Sequence, residues 1–179
     1  MSTLFVCVGT HRTDFVSTIE GEPATMFSIP IGATQLTLSE LSSDPPRAEE
    51  LSNAIAIAHA HMDDLLREMP AVKQCTRAVG TGPTVFTMAS VEVGSDVPEA
   101  IDGFALSRPA AEDVYRTLAT ESLSDRVYNP GLARADAADI VGGCCIVVVI
   151  MRRLSLPEVQ VSPLDRLPLA VSSLLGGAR

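Results

Sequence analysis

Positive charge is scarce in this sequence: 13 Lys and Arg stand against 22 Asp and Glu, a formal charge of −9 over 179 residues. Nucleic acids are drawn to basic surfaces, so a nucleic-acid partner is not expected. The longest apolar run, CCIVVVIM at 144–151, falls well short of the roughly 20 residues that span a bilayer, and no membrane role is expected. No basic segment leading into an apolar stretch and a small-residue cleavage site opens the chain, which predicts a cytoplasmic protein. Low-complexity runs are absent and 46% of residues are apolar, as in one folded domain over 1–179. The cysteines, Cys7, Cys75, Cys144 and Cys145, form neither a disulfide framework nor a C-x-x-C pair; placed in apolar runs, they read as buried thiols. Histidines are few. His59 and Asp63 lie one helical turn apart without a third ligand, so a solvated helix face is expected and no metal site.

What is present is an ordered succession of strand and helix signals. Segments 3–9, 14–20 and 24–30 read as an antiparallel meander, joined by a turn at Gly9–Thr13 and by EGEP at 20–23. A one-sided apolar stripe, from Leu51 through Ile55, Ala58, Met62 and Leu65 to Met69, predicts a helix over 47–69 that covers the sheet and stops at Pro70. Residues 73–80 read as a strand, 81–93 as a turn opening a helix, GFALS at 103–107 as strand-like, and the stretch after Pro109 as a helix. Residues 134–154 stay open: the β-branched CCIVVVI leans toward strand, whereas its flanks suit a buried helix. EVQVS at 158–162 is a strand, and LDRLPLAVSSLLGG a helix ending at its glycines. This order gives an α/β protein with a mixed five-stranded sheet and helices on both faces.

Two turns carry the functional signal. Gly80, Thr81, Gly82 and Thr84 form a glycine-containing turn feeding a helix, where free N–H groups can bind an anion, although a plain strand-to-helix turn is the preferred reading. The first turn offers Gly9, Arg12, Thr13 and Asp14, but Thr10, His11 and Arg12 place side chains where glycines would let the backbone close on a phosphate. His11 reads as an exposed hairpin tip.

The motifs VCVGTHRTDF at 6–15, SIPIGATQLT at 28–37, VGTGPTVFTMAS at 79–90, NPGLARADAADIVGG at 129–143 and VSPLDRLPLAVSS at 161–173 resemble, in order and spacing, the exopolyphosphatase/guanosine pentaphosphate phosphatase (Ppx/GppA) family. The likeness is to its second actin-like domain. It implies one half of an actin-like ATPase (ribonuclease H-like) fold, and it tips 134–154 toward helix. The family pattern V-D-I-G-G-G-S-T-E-L puts Cys7 at an aspartate and Thr10, His11 and Arg12 at Gly, Gly and Ser; Asp14 stands at its glutamate. A gapless match from Asn129 puts Asp136 at an arginine and Ala138 at an aspartate. The family's first actin-like domain has no counterpart in the sequence.

The resemblance therefore implies a degenerate relative, a pseudoenzyme or binding module with no cofactor. It pairs with a second copy or a partner protein through the 81–93 helix and the 1–20 hairpin, and can take a phosphate-containing small molecule. The competing expectation is a phosphatase acting on polyphosphate, pppGpp or another phosphate ester, with its cleft completed by a dimer, Asp14 as catalytic acid or base and Mg²⁺ as cofactor.

Overall fold

The computed structural model describes residues 1–175. Strands β1 (Ser2–Val8), β2 (Thr13–Ile19) and β3 (Glu22–Ile29) form the antiparallel meander. Strand β4 (Arg77–Thr81) lies parallel to β1, β6 (Glu158–Val161) parallel to β4, and β5 (Ala105–Ser107) antiparallel to β6. The order is β3-β2-β1-β4-β6-β5, six strands where five were expected. The sixth arises because Gly103, at φ +79°, turns the chain so that its N–H donates to the Val161 carbonyl while the Phe104 carbonyl accepts from Val161 N–H. A left-handed backbone of this kind is open to glycine at little cost.

Helices α1 (Ala33–Glu40), α2 (Ala48–Glu68), α3 (Pro83–Val93), α4 (Pro98–Ile101), α5 (Arg108–Thr120), α6 (Leu123–Arg126), α7 (Ile140–Arg153) and α8 (Leu169–Leu175) complete the chain. The segment at 134–154 resolves as turns over 134–139 followed by α7, in which every residue from Ile140 to Met151 is buried. Its β-branched composition reflects burial on all sides, which overrides local propensity. α7 packs against α1, α2, α3, α5 and β1. In consequence α2 lies mainly on α7 and meets the sheet at β3, with Ala54, Ala58, Met62 and Leu65 inward.

The strand expected at 73–80 begins only at Arg77, because Pro70–Gln74 forms a 3₁₀ turn after α2; Thr76 N–H donates to the Ser2 carbonyl of β1 just ahead of the strand. The last helix is split by Pro168 into a 3₁₀ turn at Leu164–Arg166 and α8; its expected end at Gly176–Gly177 lies outside the described residues.

Alternation along β1 separates two cores. Leu4, Val6 and Val8 join the large core beneath α7, whereas Phe5 and Cys7 join Val16, Val79, Leu167, Val171 and Leu175 under α8. Helices thus cover both faces, one thickly and one, among the described residues, with α8 and the 3₁₀ turn before it. Among the described residues, no helix is long and apolar enough to cross a membrane.

Candidate functional site

The parallel pair β1 and β4 delivers its carboxyl ends to one side of the molecule, the edge at which open α/β sheets bind ligands. Gly9 and Thr10 follow β1 there, and the starts of α1, α3 and α7 converge on them around a small cleft of about 60 Å³. Two glycines permit the approach. A Cβ on Gly142 would collide with the Thr37 hydroxyl and lie 2.7 Å from the Ala33 carbonyl oxygen, and one on Gly143 would lie 2.5 Å from the Thr84 methyl. Helix α1 is seated directly on the first turn: Ala33 N–H donates to the Gly9 carbonyl (2.9 Å) and Gln35 N–H to the Thr10 carbonyl (3.1 Å).

That turn is not an anion nest. A nest needs consecutive N–H groups turned inward by a left-handed residue. Among the described residues the positive φ values fall at Glu20, Ser155 and glycines 21, 82, 94, 103 and 131, none of them in 9–13. Gly9 N–H instead closes the turn on the Arg12 carbonyl (3.0 Å), a conformation open to side chains, which is why Thr10, His11 and Arg12 are accommodated. His11 is exposed, as expected of a hairpin tip.

The other expected site residues divide into two groups. Thr13 donates its hydroxyl to the Ile31 carbonyl (2.9 Å) and is structural. Asp14 is fully buried, accepting from Arg12 Nε at 3.2 Å and from the Ser28 hydroxyl. It lies beside Cys7 in the β1–β2 register, and Cys7 lies beside Thr81 in the β1–β4 register. Burial, and after it the Asp14 charge, push the Cys7 thiol up to about 11. The Thr81 hydroxyl is buried without a hydrogen-bond partner among the described residues. Gly82, at φ +85°, is the N-cap of α3, and a Cβ there would sit 2.9 Å from the Cys7 sulfur. Gly80 packs tightly against Val85 and Val159 and serves the core.

This donor set does not fit a hard cation. Mg²⁺ requires oxygen ligands in near-octahedral geometry, whereas Cys7 offers a protonated sulfur and the oxygens of Asp14 are engaged by Arg12 and Ser28.

Gly9 and Thr84 do line the cleft, together with residues that sequence reasoning missed: Thr34, Thr87 and Asp139. Asp139 accepts from the Thr34 hydroxyl (2.6 Å) and Asp136 from the Thr87 hydroxyl (2.9 Å). The signal in the sequence is the Asp-x-x-Asp spacing just before α7, which sets both carboxylates against the helix starts where negative charge is stabilised. Among the described residues, no basic side chain lines the cleft.

Arg126 holds this corner in place. It is buried, and donates to the Leu118 carbonyl through Nε (2.9 Å), to the Ala137 carbonyl through Nη1 (2.9 Å) and to the Glu121 carbonyl through Nη2 (2.8 Å), tying the end of α5 to the turn that carries Asp136 and Asp139. Elsewhere, Asp63 pairs with Arg153, so the His59–Asp63 face is engaged by a cation.

A protein-family comparison matches residues 2–164 to the model described as the Ppx/GppA phosphatase family. The chain belongs to the Ppx/GppA phosphatase family. No curated protein matches it. Among solved structures, an exopolyphosphatase-like protein superimposes with a TM-score of 0.85 at 21% identity, over 90% of this chain and 55% of that one. The Aquifex aeolicus PPX-GPPA enzyme gives 0.84 at 20% identity, over 98% and 57%. An exopolyphosphatase from Cytophaga hutchinsonii gives 0.73 at 20% identity, over 99% and 58%. These likenesses show the fold, an actin-like half, and this Ppx/GppA chain spans somewhat over half the length of each.

Proposed function

We propose that this chain is a degenerate Ppx/GppA domain, inactive as a phosphatase by itself, that acts as a binding or interaction module, with a second copy or another protein as partner and neither nucleic acid nor membrane. The observation that carries the reading is the commitment of the one acid retained in the first turn: Asp14 is buried and held by Arg12 and Ser28, beside a thiol where the family pattern has an aspartate. Phosphoryl transfer needs positioned cations on the phosphate and a base for water. The cleft supplies instead Asp136, at the place of a family arginine, and Asp139, so its own carboxylates occupy the favourable field of the helix starts. A phosphate-bearing small molecule would rely on the start of α3, at Gly82 and Thr84.

The test is Mg²⁺-dependent phosphate release from polyphosphate and pppGpp by the parent and by the Cys7→Asp, Thr10→Gly, His11→Gly triple variant. The parent is expected to release none. Parent turnover abolished by Asp14→Ala would instead establish the phosphatase reading.

A further inference from the structure

The cleft lies where β1 and β4 end; at the opposite side of the sheet, where β4 and β6 begin, the strands part. The ladder between β4 and β6 consists of Val79–Gln160 and Gly80–Val161, although β4 starts at Arg77 and β6 at Glu158. β6 stays paired with β5 down to Glu158, opposite Ser107, so β5 and β6 diverge from β4 together. The wedge opens into a cavity of about 660 Å³, lined also by Leu154, Leu156 and Pro157 of the loop before β6 and by Lys73 and Cys75 of the segment entering β4. Cavities of roughly 300–1,000 Å³ take small organic ligands. The charge of this one runs against that of the molecule. Lys73, the single lysine of the sequence, and Arg77 both line it. Among the described residues seven arginines are ion-paired, whereas neither Lys73 nor Arg77 is paired with a carboxylate. Arg77 Nη2 donates across the gap to Gln160 Oε1, a neutral acceptor that fixes the guanidinium and leaves its charge uncompensated. Glu158 supplies the one acidic side chain of the lining.

We propose that this cavity binds a small organic monoanion with an apolar body, a medium-chain carboxylate in type, with the carboxylate on Arg77 and Lys73 and the chain along Leu154, Leu156 and Pro157. Charge selects the head group. A chain at −9 repels anions in general, so an anion is held only where unpaired cations gather. A fixed guanidinium meets a carboxylate through paired hydrogen bonds, and the flexible lysine adds a second charge. Glu158 reduces the lining to a single net positive charge, which suits a monoanion and disfavours a phosphate dianion. The leucines and the proline select the body, since burying a hydrocarbon chain against them removes apolar surface from water on both sides. The site is separate from the cleft, and the proposal goes beyond the reading above without depending on it.

The experiment uses the full chain and octanoate, with octylamine and inorganic phosphate for comparison. Titration calorimetry is expected to give one octanoate per chain, and saturation to slow alkylation of native Cys75 several-fold, because that thiol shares the lining. Octylamine, of equal apolar length and opposite charge, and phosphate do neither. Arg77→Glu and Lys73→Glu each weaken octanoate binding about tenfold or more. Glu158→Gln tightens it, a gain that a folding defect cannot mimic. Arg134→Glu makes the same charge change beside the cleft and leaves octanoate binding intact. No octanoate binding, binding that leaves Cys75 unprotected, equal protection by octylamine or phosphate, or indifference to Arg77→Glu would each overturn the proposal. None of these readouts depends on phosphate release or on a protein partner, so the two readings fail separately.

Discussion

Residue environment, more than residue identity, sets the chemistry of the four thiols. Cys7 is raised to about 11 by burial and then by Asp14, and burial also raises Cys144 and Cys145 on the fully enclosed α7. Cys75, expected to be buried, is half-buried after the 3₁₀ turn and carries a smaller upward shift, because its surroundings are only partly closed. The thiolate is the nucleophile in alkylation. Native protein at pH 8 is therefore expected to take one label, at Cys75, and denatured protein four, as read by intact mass; rapid labelling of Cys7 in the native state would contradict the environment described for it. The sequence exposed the oddity of Cys7 but not its consequence. That Asp14 is spoken for depends on Ser28, fourteen residues away and brought alongside only by the β2–β3 register.

Elements were legible where one face repeated and opaque where burial was complete. The meander and α2 announced themselves through alternation and a 3.6-residue stripe. α7 did not, since a helix enclosed all round has no polar face to mark its period. The cleft shared that fate: Thr34 sits on α1, an eight-residue helix with no stripe to flag it, and it meets Asp139 only because Gly142 and Gly143 let α7 come close. The start of α2 holds a different device. Glu50 is held down to about 2, from an ordinary 4.5, by the Ser42 hydroxyl first, then by the Arg47 N–H and the Ser43 hydroxyl. A carboxyl depressed in the folded state stabilises above its unfolded pKa and ceases to do so as pH falls through the folded one. The denaturant midpoint is expected to drop between pH 4.5 and about 2, and Glu50→Gln to flatten the profile in that window. An unchanged profile in the variant would remove Glu50 as a contributor.

At the scale of the whole molecule, α7 is the hub on which α1, α2, α3 and α5 pack, so its burial depends on all of them at once. The run Ile146-Val147-Val148-Val149-Ile150 is uncharged, β-branched and free of proline, the composition of segments that stack into cross-β assemblies when uncovered. What reads as a strand in isolation is a helix only while its neighbours enclose it. Heating past the unfolding transition is therefore expected to end in irreversible, thioflavin-positive precipitate whose protease-resistant core includes 140–153. Amorphous, dye-negative precipitate would refute this. The same packing that places the cleft thus sets how the protein is lost: a molecule that loosens around its central helix releases a segment prone to bind copies of itself, and its working lifetime is governed by how rarely that helix is bared.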